Sequence, residues 1–368
     1  MSEQMNELGF YTLAGQPESP RELIAEVQRA EALGIGACFV SERFNIKEAA
    51  TLSGAVGAVS ESIGIATAAT NHTTRHPMVT AAFAMSMHQL TGGRFSLGLG
   101  RGIAPMFKAY GLEPIKTAGI EDFVGLMRKI WGGELVLGHD GPAGEYPLLT
   151  MGPQYASEIP MTFTAFGPNS LALGGRAFDA VVLHTFFTDE TTARCVRAVK
   201  RAAEEAGRDP ASVRVWSCFA TIGDHLPEDV RLKKTVGRLA TYLQGYGDLL
   251  VKTNEWDPAV LEAFRADEFV QSFRGGLDMT ATTEELEHVA TLIPDEWLAP
   301  AASGSPAQCV EAIRGQFELG CDGVILHGAS PEQLAPIVEE YKQTRPAGRF
   351  DHLPANPAGA PLGSGGVS

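Results

Sequence analysis

A single rhythm constrains this chain most: short apolar runs of strand length alternate with stretches of helix length through most of the sequence. Strand readings fall on Asn6–Leu13, Ala37–Ser41, Ile63–Thr70, Arg94–Gly100, Ile159–Phe166, Asp179–His184, Val213–Ile222 and Gly323–His327. The intervening patterns predict helices over Pro20–Leu33, Lys47–Ser60, His76–Leu90, Ala118–Trp131, Asn169–Arg176, Asp189–Ala206 and Pro306–Leu319. Pro331–Tyr341 closes the series. Ser19 is a candidate N-cap for the first helix and Gly34 its stop. The strand runs are nearly continuous in apolar residues, as expected of a sheet covered on both faces. Eight strand–helix pairs of this kind predict an α/β fold, a (β/α)8 TIM barrel. A doubly wound open sheet is the alternative the pattern leaves open.

Three segments break the rhythm. Gly and Pro crowd residues 132–157, so a hairpin or loop excursion is expected there. Residues 223–304 read mostly as helix and are too long for a bare connection, which predicts a helical insertion between the seventh and eighth strands. Residues 345–368 are rich in Pro, Gly and Ala without periodicity, and read as a flexible C-terminal tail. The expected organisation is one barrel domain over residues 1–344 followed by that tail.

Charge and cysteine usage narrow the function classes. Lys and Arg number 29 against 44 Asp and Glu, a formal charge of −15. Such a surface repels phosphate backbones and anionic lipid, so nucleic-acid and membrane partners are not expected. No apolar run approaches the roughly 18 residues of a membrane span, and Met1–Leu8 lacks the pattern of a secretion signal. Five cysteines stand scattered with no Cys-x-x-Cys spacing, which argues against disulfides and structural zinc. A reduced, cytoplasmic protein is the expectation. His72 and His76 are four apart, but Pro77 follows at once and no third ligand is near, so no metal site is expected.

Function in a barrel gathers where strands end and loops begin. Those positions hold Ser41-Glu42-Arg43-Phe44, then Thr67-Ala68-Ala69-Thr70-Asn71-His72, then Gly98-Leu99-Gly100-Arg101-Gly102. The later strands end in Phe166-Gly167-Pro168-Asn169, His184 and His327-Gly328. Alternate glycines permit close approach by a backbone or a flat ligand. Arg101 among them has a guanidinium able to grip an anionic group. The helix opening after Gly167 offers free N–H groups of the kind that bind phosphate. No third glycine completes a dinucleotide fingerprint, no helix is read directly after Gly102, and there is no Walker sequence or nucleophile elbow.

Taken together, these stretches resemble the luciferase-like monooxygenase superfamily, whose members bind FMN or the deazaflavin coenzyme F420. The strongest likeness runs from Ile63 to Gly111, through Arg75-His76-Pro77 and Leu90-Thr91-Gly92-Gly93-Arg94-Phe95. Phe166-Gly167-Pro168, Gly175-Arg176 and Gly304–Pro306 extend it. Met106-Phe107-Lys108-Ala109-Tyr110-Gly111 looks like the F420-dependent branch. The resemblance implies F420 as cofactor and hydride transfer to or from a small organic substrate, the alternatives being an FMN-dependent monooxygenase or a non-catalytic flavin-binding barrel. It implies a non-prolyl cis peptide at Ala68-Ala69 behind the ring, within a segment Thr67–Asn71. Gly98, Gly100, Arg101 and Gly102 would line ring and phosphate, and Phe166, Gly167, Pro168 and Asn169 would hold the phosphate. Glu42, Arg43, His72 and His184 are the candidate proton-handling residues. Two positions depart from the family: Arg43 replaces a common His, and Ile103 replaces the Glu of F420-dependent glucose-6-phosphate dehydrogenases. In the aromatic-rich insertion, most of Tyr242, Leu243, Tyr246, Leu249, Leu250, Trp256 and Phe264 are expected to pack among the inserted helices, while the rest could line a wall favouring a largely apolar substrate. A homodimer is expected.

Overall fold

The computed structural model describes residues 4–15 and 17–359. Its eight main strands are β1 (Met5–Tyr11), β2 (Ile35–Val40), β3 (Gly64–Thr67), β4 (Phe95–Leu99), β5 (Met161–Thr164), β6 (Ala180–Val182), β7 (Arg214–Gly223) and β8 (Gly323–His327). Each pairs in parallel with the next, and β8 returns to β1 with Leu8 opposite Val324, so the sheet closes into a (β/α)8 barrel. The helices that follow the strands are α1 (Glu22–Leu33), α2 (Ala49–Val59), α3 (Pro77–Leu90), α4 (Thr117–Trp131), α5 (Pro168–Ala177), α6 (Asp189–Glu205), α7 (Pro306–Glu318) and α8 (Pro331–Thr344).

Burial explains the continuous apolar runs. All six residues of β2 and all ten of β7 are buried, because side chains on one face fill the barrel and those on the other meet the helices. Inside, Phe39 and Trp216 meet edge to face at 5.0 Å, with Ala37, Ala66, Ala180, Val182 and Ile325 around them. Gly34 stops α1 as expected, in the left-handed conformation at φ 76°. Ser19 is not its cap. Ser19 and Pro20 form a turn one step ahead, in which Ser19 Oγ accepts from Arg21 N at 3.2 Å. The second helix begins at Ala49 rather than Lys47 because the Glu48 carboxylate caps it, accepting from Ala50 N and Thr51 N.

Several segments differ from the sequence reading. A short helix, Ala104–Ala109, does follow Gly102 closely, with a proline in its first turn. The excursion after α4 is an antiparallel hairpin of Val136–Gly141 with Gly144–Leu149. The insertion is a run of helices from Glu228 to Leu298 that ends in a short strand, Ala302–Gly304, paired in parallel with the end of β7.

The expected flexible tail is corrected over residues 345–359. Arg345 forms an ion pair with the fully buried Glu7, Nε to Oε1 at 2.6 Å. Beyond it the chain straps the N-terminal end of the barrel. Asn356 Nδ2 donates to the carbonyls of Gly93 and Phe95, and Trp216 Nε1 donates to Pro357 O at 2.7 Å. Strand ends leave unpaired backbone groups, and the strap satisfies them although its composition shows no periodicity. Residues 360–368 of that expected tail lie outside the described residues. Among the described residues, no helix is long and apolar enough to cross a membrane.

Candidate active site

The C-terminal ends of β3 and β4 form a tight backbone platform. The Ala68–Ala69 peptide is cis, as the resemblance implied. Ala68 N donates to Val40 O at 2.8 Å and Thr70 N to Gly98 O at 3.0 Å, which ties the segment to both neighbouring strands. Thr67 Oγ1 donates to Gly98 O and accepts from Gly98 N. A Cβ at Gly98 would lie 1.6 Å from the Thr67 carbonyl oxygen, so only glycine fits. At Gly100 it would meet Ala69 Cβ at 2.9 Å. Gly102 adopts φ +62° against the Phe107 ring.

Arg101 leaves this platform toward α5. Its Nε donates to Ser170 Oγ at 3.0 Å and its Nη2 to Thr117 Oγ1, so it bridges the first turns of α4 and α5. Burial holds its pKa below the ordinary arginine value. Gly167 caps α5 with no side-chain hydrogen bond, and Pro168 occupies the first helical turn. A Cβ on Gly167 would meet only Leu249 Cδ1, at 4.0 Å, so this helix end has room before it. Arg101, Gly167 and Asn169 therefore share one corner of the mouth, across the β4–β5 pair.

The four proton-handling candidates do not come together. Glu42 accepts from Thr70 Oγ1 at 2.6 Å and pairs with Arg75, which also pairs with Glu48. Burial alone would lower the Arg75 pKa, but the two carboxylates outweigh it and hold the guanidinium above its ordinary value. Burial also opposes ionisation of Glu48, yet Thr51 and Arg75 bring that carboxyl down to about 2. Glu42 thus locks the β2 and β3 loops together. Asn71 turns its Oδ1 inward to accept from Thr73 N and Thr74 N. His72 packs on α4, 5.4 Å from the Phe123 ring, with its Nδ1 unpartnered. Burial pushes its pKa down, partly offset by Asp122. Arg43 Nη1 donates to Gly15 O at 3.1 Å, on the side of β1.

His184 is the candidate that faces the mouth. Its Nδ1 is 2.8 Å from the Thr185 carbonyl, which can only accept, so Nδ1 carries the proton. Its Nε2 therefore accepts from Tyr246 Oη at 3.0 Å. The rings of Phe166, Tyr242 and Tyr246 surround it, with centroids 4.4, 4.9 and 5.4 Å away. Burial brings its pKa down to about 4, against a smaller opposing effect of the Thr185 hydrogen bond, so the imidazole is neutral at pH 7.

Most apolar residues of the insertion pack among its helices. Leu243, Leu250 and Phe264 are fully buried within the core, and Trp256 stacks on Trp297 at 4.5 Å. Tyr242 and Tyr246 reach the mouth instead, and their helical stripe continues at four-residue spacing to Arg238 and Lys234. Those two cations, and Lys47, escaped the sequence reading. The i, i+4 spacing leaving β7 was the available signal.

Residues 5–323 match the model of the luciferase-like monooxygenase family. A 5,10-methylenetetrahydromethanopterin reductase of Methanolobus tindarius is 27% identical over 251 residues, 66% of this chain and 74% of that protein. A phthiodiolone/phenolphthiodiolone dimycocerosates ketoreductase of Mycobacterium tuberculosis is 33% identical over 193 residues, 51% of this chain but only 50% of that protein. Among solved structures, the coenzyme F420-dependent tetrahydromethanopterin reductase of Methanopyrus kandleri aligns with TM-score 0.75 at 18% identity, covering 91% of this chain and 97% of that one. An F420-dependent secondary alcohol dehydrogenase aligns with TM-score 0.67 at 18% identity, over 94% and 100%. Likeness at such identities establishes the shared barrel.

Proposed function

This chain belongs to the luciferase-like monooxygenase family, and on that premise we propose that it is an F420-dependent oxidoreductase acting on a small organic substrate. The observation that carries the reading is Arg101, held between α4 and α5 beside the uncapped N-terminus at Gly167. A guanidinium together with free helix N–H groups suits a phosphate. The cradle at Gly98 and Gly100, where any Cβ would collide, suits the flat ring that such a phosphate would carry. The names of the reductase and dehydrogenase to which this chain is similar favour the deazaflavin over FMN.

Bound there, F420 would supply two-electron hydride chemistry. The chain's own residues would place the substrate and handle one proton. Ala68, Ala69 and Gly98–Gly102 would back the ring, while Arg101, Gly167 and Asn169 would hold the phosphate. Tyr246 Oη carries the proton nearest the mouth, and neutral His184 Nε2 holds it in place. A substrate oxygen seated beside Tyr246 would take that proton as the hydroxyl rotates, with solvent resupplying the phenol, whose burial favours its protonated form. Glu42 and Arg75 act as positioning residues, because their charges satisfy each other.

An anaerobic assay with reduced F420 and a panel of ketones and imines tests this. Substrate-dependent oxidation of the deazaflavin, unchanged by oxygen, is expected. Turnover that instead requires reduced FMN and consumes oxygen overturns the reading in favour of a monooxygenase.

A further inference from the structure

Four cations converge on the side of the mouth formed by β7, β8, β1 and β2, opposite the Arg101 corner at β4 and β5. Arg43 Nη1 donates to Gly15 O, Lys47 Nζ to Leu13 O, and Lys234 Nζ to Gly328 O. Arg238 Nη1 lies 2.9 Å from Asp278 Oδ2. Among the described residues, no carboxylate is within ion-pair distance of Arg43, Lys47 or Lys234. The nearby Glu26 is already occupied, accepting from Thr12 Oγ1 and Leu13 N at 2.7 Å each.

Lys47 is the sharpest feature of this cluster. The residue is only 2% exposed, yet its ammonium, which has three donors, meets a single carbonyl. A buried charge so poorly paired is costly to folding and is kept where a ligand completes it. Burial, with Arg43 and Arg238 adding repulsion and Glu26 opposing, brings the Lys47 pKa to about 7. Burial and Arg238 similarly bring Lys234 to about 8. His327, at the end of β8, is pushed well down by burial and by the charges of Arg238, Arg43 and Lys234, so it adds no positive charge.

We infer that Arg43, Lys47, Lys234 and Arg238 form an oxyanion subsite that holds a phosphate or carboxylate group of the substrate. The inference rests on reading the barrel mouth as the active site. It replaces a wholly apolar substrate with one bearing an anionic group, its reacting carbon held between that anchor and the ring platform. In a protein of net charge −15, such an anchor also draws an anionic substrate toward the mouth.

Isothermal titration with inorganic phosphate, and separately with acetate, tests the subsite in protein saturated with F420, so that the Arg101 corner is filled. One saturable site is expected for at least one of the two anions, weakened tenfold or more in Lys47→Met and in Lys234→Met. Preference for phosphate assigns a phosphoester, and preference for acetate a carboxylate. If Lys47→Met does not fold, Lys234→Met, whose side chain is partly exposed, carries the test. Should F420 fail to bind, the same titrations on unliganded Arg101→Ala still read the subsite, so the two proposals fail separately. Absence of saturable binding by either anion overturns the inference. So does binding that survives the Met variants, or anion binding to the unliganded protein that F420 abolishes.

Discussion

Gly98 sets the tolerance of the mouth, since its absent Cβ is the space occupied by the Thr67 carbonyl. Gly98→Ala is expected to push β3 and β4 apart and cost about 1–3 kcal/mol in urea unfolding. Arg101→Ala should weaken cofactor binding by about 1.5–3 kcal/mol, the range for a hydrogen bond to a charged partner. His184 gives a pH signature. Its folded pKa of about 4 lies below its unfolded value, so the unfolded state binds more protons between those values. Stability supplied by neutral His184 is therefore full above about pH 6.5 and is lost as pH falls toward 4. His184→Gln should flatten that part of a pH–stability curve. Arg101 and the glycines stood out as candidates in the sequence because function in a barrel gathers at strand ends. His72 misled for the same reason: it follows β3, but its ring turns onto Phe123 of α4, a direction no local pattern encodes. Lys47 was hidden because the carbonyl its Nζ meets, Leu13 O, is brought near by the pairing of β1 with β2 rather than by sequence spacing.

At the scale of elements, the strands were readable because burial on both faces makes them continuously apolar, and their ends were not. The reading carried β3 to Thr70 and β6 to His184, whereas the regular ladders end at Thr67 and Val182. In the insertion the large apolar side chains pack among themselves, while one stripe of Lys234, Arg238, Tyr242 and Tyr246 faces the mouth. Replacing residues 228–298 by a short linker is expected to abolish turnover while cofactor affinity stays nearly intact. A folded variant that loses cofactor affinity would show that this element belongs to the cofactor site, as the approach of Leu249 to Gly167 allows.

Across the whole molecule, the two ends of the barrel have different tasks. The N-terminal end is sealed by residues 346–359, with Ala358 packed against the barrel interior. Truncation after Arg345 keeps the Glu7 ion pair but strips Trp216 Nε1 and the Phe95 carbonyl of their partners. Unpaired buried groups cost about 1–3 kcal/mol each, so the truncated protein should melt at a clearly lower temperature in calorimetry. On the proposed reading the C-terminal end would hold the chemistry, with Arg101 and Gly167 placed for a phosphate and the Arg43, Lys47, Lys234 and Arg238 cluster opposite. The central claim is that this mouth is built for the deazaflavin. Titrating the purified protein and its Arg101→Ala variant with F420 and with FMN tests it most directly. The account predicts saturable F420 binding that is tighter than FMN binding and is weakened by Arg101→Ala; FMN bound more tightly than F420, or F420 affinity indifferent to Arg101, would contradict it.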